Sequence, residues 1–157
     1  MKTYKKIIIL WVIIVFFSIQ VHGALFAFIS APFALIYLVI CLFNLFFKKK
    51  PRKEIGFKLL IIIISYVVIA AVHVVRFQDA RSHADFVLMK IEAFHAIHGQ
   101  YPANSLEAGL NDEALRKQRL FYGNAQGSPT LFYPATQMPF DTYSFNFKNS
   151  QWEYRSS

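Results

Sequence analysis

Five histidines in a chain of 157 residues raise the question of metal chemistry. His95 and His98 stand three apart and His83 follows Asp79 by four, spacings that place each pair on one face of a helix. Zinc needs three or four converging ligands. No His-x-x-x-His pair and no second ligand cluster later in the chain supplies them. The histidines therefore read as surface or interfacial residues, and no metal or cofactor is expected. His73 is different because it lies in an apolar run; an intramembrane ionisable group is a functional candidate by default, its competing role being an interfacial polar residue.

Nucleophilic and phosphate chemistry find no footing. There is no Gly-x-Ser-x-Gly, no Walker loop and no His-Glu-x-x-His. The single cysteine, Cys41, sits in an apolar run and reads as a small buried hydrophobe. Asp141 reads as a turn or strand-start residue. Trp152 and Tyr154 have the chemistry of interface anchors, with core packing as the competing fate. Together with His95 and His98 they are the candidate protein-binding residues.

The net charge of +8 invites a nucleic-acid reading that its distribution excludes. Residues 1–75 carry nine basic side chains against Glu54 alone, whereas residues 76–157 carry eight basic and eight acidic ones. The excess flanks apolar segments, where it sets topology and meets anionic lipid headgroups. No basic face interleaved with stacking aromatics is present, so no nucleic acid is expected.

The elements that carry these residues fall into two halves, 1–75 and 76–157. The first holds apolar segments at about 7–22, 24–47 and 55–75. Two readings of the first segment stand: a signal peptide cut before Ala24, or, favoured here, one arm of an uncleaved helical hairpin turning at residues 20–23. Pro32 is expected to kink the second helix, and Lys58 to snorkel to the inner interface. The loop K-K-K-P-R-K-E, residues 48–54, is a positive-inside signal that agrees with the basic N-terminus. The third span then delivers residues 76–157 to the far side, and cleavage after residue 23 would not change that.

Past residue 75 the third helix continues without proline and becomes amphipathic, with Phe77, Ala80, Ala84, Val87, Leu88, Ile91, Phe94 and Ile97 as an apolar stripe. Gly99 and Pro102 end it. Asn104 with Glu107 has the form of a capping box, and Asn111-Asp112-Glu113 opens another turn. From Arg119 aromatic runs separated by Gly, Asn, Ser and Pro predict strands, including a hairpin with Tyr143, Phe145, Phe147, Trp152 and Tyr154 on one face. A three- to four-stranded antiparallel sheet laid on the helix stripe would bury both apolar faces.

This pattern resembles type IV pilins and type II secretion pseudopilins over residues 55–110: a long half-apolar helix ending in I-E-A-F-H-A-I-H-G-Q-Y-P, then S-L-E-A-G-L. The start K-K-K-P-R-K-E-I-G-F is also similar to a prepilin cleavage region. The chain departs from the family where Ile61 stands in place of a glutamate important for assembly, and in the two apolar segments before the site. The resemblance implies a pilin-like outer domain that is not a processed, fibre-forming subunit.

The expectation is an integral membrane protein with three transmembrane α-helices and a small α+β domain, in the bacterial inner membrane with its N-terminus cytoplasmic and its C-terminal domain periplasmic. It is expected to be non-enzymatic, with no small-molecule substrate, and to bind membrane lipid and a protein partner. The specific form is an immunity protein neutralising a periplasm- or membrane-acting toxin; the alternative is a structural accessory of a pilus-like or type II-like secretion machine.

Overall fold

The structure is a computed structural model and describes residues 2–20, 23–47, 52–136, 138 and 140–156. Most of the basic loop, residues 48–51, and the middle of the expected 20–23 turn lie outside the described residues. The chain divides into two compact units, Met1–Val75 and Arg76–Ser157.

The first unit contains α1 (Lys2–Ser18), α2 (Ala24–Phe47) and the first part of α3 (Arg52–His98). Between α1 and α2 the Gly23 N–H donates to the Gln20 carbonyl at 2.8 Å. A Cβ on Gly23 would fall 2.3 Å from the Phe17 carbonyl oxygen and 2.4 Å from that of Ser18, so this approach admits only glycine. Trp11 of α1, Ala34 of α2 and Ile62 of α3 form a buried cluster in which a small residue makes room for the indole. Ser30 Oγ donates to the Ala27 carbonyl at 3.0 Å, which leaves the Tyr66 hydroxyl, also 3.0 Å away, to donate to Ser30. Pro32 lies inside α2 without ending it.

Among the described residues, two helices are long and apolar enough to cross a membrane, Ala24–Phe47 and Lys53–His98. Their outward side chains leave large apolar surfaces bare, Phe33 and Phe46 being 70% and 78% exposed. The expected first span at residues 7–22 is corrected. Its helix stops at Ser18, and the apolar part, Ile7–Ser18, is short. At 1.5 Å per residue those twelve residues rise only about 18 Å, against about 30 Å of hydrocarbon.

In the second unit the later half of α3 turns Ala84, Val87 and Ile91 inward, all essentially sealed from solvent. Leu110, Leu115, Leu120, Leu131, Tyr133 and Phe145 complete this core. Ile97, expected on the same stripe, is 78% exposed. Six residues after Ile91 a helix has turned about 120° away from the core direction, and a stripe drawn at spacings of three drifts off the buried face. Gly99, in the left-handed region at φ 71°, ends α3 with its N–H on the His95 carbonyl. Asn104 accepts from the Glu107 N–H, but Glu107 reaches back to the Ala103 N–H, so the box closes a turn and opens no helix. The short α4 (Asp112–Lys117) is capped by Asn111, which accepts from the Glu113 N–H.

Four strands follow: β1 (Phe121–Ala125), β2 (Ser128–Pro134), β3 (Thr142–Asn146) and β4 (Gln151–Arg155), an antiparallel meander in chain order. Gln126 and Gly127, both at positive φ, make the two-residue turn between β1 and β2. The register sets Leu131, Phe145 and Trp152 side by side, and likewise Tyr133, Tyr143 and Tyr154. Alternation sends Phe121, Phe132, Ser144 and Glu153 to the opposite face. Long apolar helices followed by a four-stranded antiparallel sheet are thus the architecture.

Candidate functional site

Of the four candidate anchors, Trp152 is held within its own domain. Its Nε1–H donates to Asp85 Oδ1 at 2.8 Å. Asp85 Oδ2 accepts from Arg81 Nε at 3.0 Å, and the Arg81 guanidinium lies 4.9 Å from the Trp152 ring centre. Below the indole, Tyr133 and Phe145 meet it edge-on. Tyr154 stays half exposed, and its hydroxyl donates to Asp141. That bond holds the Tyr154 proton and raises its pKa.

The two histidines serve the end of α3 in different ways. His98 is exposed, stacks on Phe94 at 4.0 Å and points Nδ1 at the Phe94 carbonyl. His95 stacks on Tyr101 at 4.1 Å, past the helix end. Glu92 precedes His95 by one turn. Even so, among the described residues no group of three or more His, Cys, Asp or Glu side chains gathers as a metal site. Asp85, which holds Trp152, lies ten residues before His95, about 15 Å along the helix axis. The four candidates therefore belong to two separate places.

The His95–Tyr101 stack borders a polar cleft of about 480 Å³ shared with Glu107 and Asn124. Asn124 Nδ2 donates to the carbonyls of Tyr101 and Pro102, both at 3.2 Å, and the Tyr122 hydroxyl donates to the Pro102 carbonyl at 2.7 Å. These bonds tie the segment after α3 to β1. Burial, then the charges of Glu107 and Tyr101, push the Tyr122 pKa up to about 12. At neutral pH Tyr122 keeps its proton and donates it to the Pro102 carbonyl.

A second surface escaped the sequence reading. Phe86, Met89, Ala93 and Ile97 recur at spacings of three and four on the outer side of α3, and all are exposed, Phe86 by 52%. The Lys90 ammonium lies 5.8 Å from the Phe86 ring centre. Phe140, between β2 and β3, is 78% exposed. The spacing was visible in the sequence, but it lies beside the core stripe, and the two periodicities merge when apolar residues alone are counted.

Compared with protein-family models, with curated proteins and with solved structures, the chain matches none.

Proposed function

We propose that this protein is a membrane-anchored binding module whose outer domain, Arg76–Ser157, captures another protein, and that it acts as an immunity protein against a toxin working in the periplasm or on the bilayer. The observation that supports the reading is the outer stripe of α3. Phe86, Met89 and Ile97 stay exposed although Ala84, Val87 and Ile91 already give the domain a buried core. Large apolar side chains left bare on a domain with a satisfied core are a feature of protein-interaction surfaces. In this reading α2 and the first part of α3 cross the bacterial inner membrane, α1 packs on them through Trp11 as a helix too short to cross, and the 48–54 loop stays cytoplasmic.

The test is capture through a C-terminal tag in mild detergent, with mass spectrometry of the bound proteins, alongside challenge of a deletion strain with the toxins encoded nearby. Recovery of a toxin and sensitisation of the deletion strain support the immunity reading; full resistance to every one sinks it. A second reading, a structural accessory of a pilus-like or secretion machine, is favoured by one observation. A 47-residue helix leads from an apolar stretch to a four-stranded antiparallel sheet, the arrangement that the pilin resemblance implies. In-cell crosslinking that captures pilins or secretion subunits would promote this reading, and crosslinking that captures neither would remove it.

A further inference from the structure

β2 and β3 pair from Pro134 with Thr142 to Leu131 with Phe145 and stop there. β2 itself runs back to Ser128, still paired with β1. Two residues beyond Leu131 the next rung would join Pro129 to Phe147, and proline has no N–H to give a ladder. The strands part at that point, leaving a cleft of about 480 Å³. Its lining combines the aromatic side chains of Tyr101, Phe145 and Phe147 with the cations Lys148 and Arg155, and includes no carboxylate. Ser144 also lines it; that residue is only 6% exposed, and its hydroxyl has no hydrogen-bond partner among the described residues.

Glu153, the β4 partner of Ser144, is engaged elsewhere. It accepts from Asn146 at 2.6 Å and from Asn149 at 3.3 Å, and stands 3.8 Å from the Arg155 guanidinium. Lys148 has no ion-pair partner among the described residues. An aromatic lining, two cations and an unused hydroxyl donor match one kind of guest: a carboxylate beside an apolar ring.

We infer that the splayed β2–β3 seam is a docking cleft for an acidic segment of a partner protein, a Glu or Asp carboxylate facing Lys148, Arg155 and the Ser144 hydroxyl while a neighbouring aromatic or aliphatic side chain packs on Phe147 past the strand end. This rests on the reading of the outer domain as a protein-binding module and gives that partner a chemistry. The seam lies on β2 and β3, separate from the outer stripe of α3 that carries the general reading, so the two can fail independently.

The experiment uses the full chain in nanodiscs and the capped peptide acetyl-Gly-Phe-Glu-Gly-amide, with its Gln and Lys counterparts, followed through the backbone amide resonances around Ser144 and Lys148. The acidic peptide should bind about tenfold more tightly than the Gln peptide, a difference of about 1.4 kcal/mol. Lys148→Glu should abolish that preference and Lys148→Gln should halve it or more, with circular dichroism unchanged because Lys148 sits in the exposed turn between β3 and β4. Ser144→Ala should weaken the acidic peptide severalfold. Equal binding of the Glu and Gln peptides overturns the inference. So does an unchanged preference in Lys148→Glu, or inorganic phosphate binding as tightly as the acidic peptide, which would make the seam a simple anion site. A captured partner indifferent to Lys148→Glu would sink the cleft and keep the module; a peptide that binds as expected while no partner is captured would do the reverse.

Discussion

The indole N–H of Trp152 and the carboxylate of Asp85 meet at 2.8 Å, joining β4 to α3 across 67 residues of chain. The same carboxylate accepts from Arg81, whose guanidinium lies over the indole. One acid thus serves two donors that also touch each other, at the edge of the sheet where the core gives way to solvent. Strand β4 is the last in the sheet order and pairs with β3 on one side, and this contact adds a tie from it to α3.

Asp85→Ala should therefore cost about 1 kcal/mol, in the range of a net hydrogen bond at a partly exposed site. The lost Arg81 pair adds a few tenths. Asp85→Asn, which keeps an acceptor oxygen, should lose about half as much. Urea unfolding followed by circular dichroism would show a lowered midpoint with unchanged slope. A wild-type midpoint for Asp85→Ala would mean that packing alone holds the indole.

Ile91 and Ile97 are six residues apart on one helix and should respond oppositely to truncation. Ile91 is fully buried and Ile97 is 78% exposed. Ile91→Ala should destabilise the second unit by about 2–5 kcal/mol, the range for emptying a packed aliphatic site. Ile97→Ala should stay within about 0.5 kcal/mol. If the proposed partner binds the outer stripe, the ranking reverses in a capture assay, where Ile97→Ala weakens binding and leaves folding intact.

The contrast between these two residues also marks where sequence reading reaches its limit. The apolar stripe of α3, its stop at Gly99 and the aromatic strands were legible, because helix period, a left-handed glycine and period-two alternation are local signals. Ile97 was misplaced because a run with apolar residues on both sides gives two interleaved stripes, and only the sheet decides which is covered. The fate of Trp152 was illegible for a related reason, since its partner Asp85 lies on another element and nothing in spacing links them. The turn between α1 and α2 was legible at Gln20 and Gly23, but the residues just before it were counted into α1, whose helix ends at Ser18. The seam at Pro129 could have been suspected from a proline inside a strand-like run, but its place beside Lys148 and Ser144 needed the register.

Tyr122 gives the second unit an alkaline signature. Its folded pKa is pushed up to about 12 from the ordinary 10.0, so the folded state keeps the phenol proton after the unfolded chain has begun to lose it. The corresponding stability is fully present below pH 10 and is lost as pH rises through about 12. Absorbance titration at 295 nm should show a tyrosine ionising late and only with unfolding. Tyr122→Phe should remove that late component and cost about 1 kcal/mol at neutral pH through the lost bond to the Pro102 carbonyl. A titration identical to wild type would place the late proton on another tyrosine.

Within the first unit, His73 Nε2 lies 2.9 Å from the Ser18 carbonyl oxygen, and both residues are buried. A carbonyl only accepts, so Nε2 carries the hydrogen. Ser18 is the last residue of α1, and its carbonyl is one of those a helix leaves without an intrahelical donor. In apolar surroundings such a carbonyl is costly to leave unpaired, and His73 supplies the missing donor from α3. His73→Phe should therefore lower the thermal stability of the detergent-solubilised protein by about 1–3 kcal/mol, the range for stranding a buried acceptor. His73→Gln, with an amide N–H in reach, should recover part of it. The readout is the emission of Trp11, buried in the same unit, in a Trp152→Phe background that leaves it the sole tryptophan. Melting curves that coincide for His73→Phe and wild type would show that the Ser18 carbonyl finds its donor elsewhere, and His73 would then have to be explained by something other than holding α1 to α3.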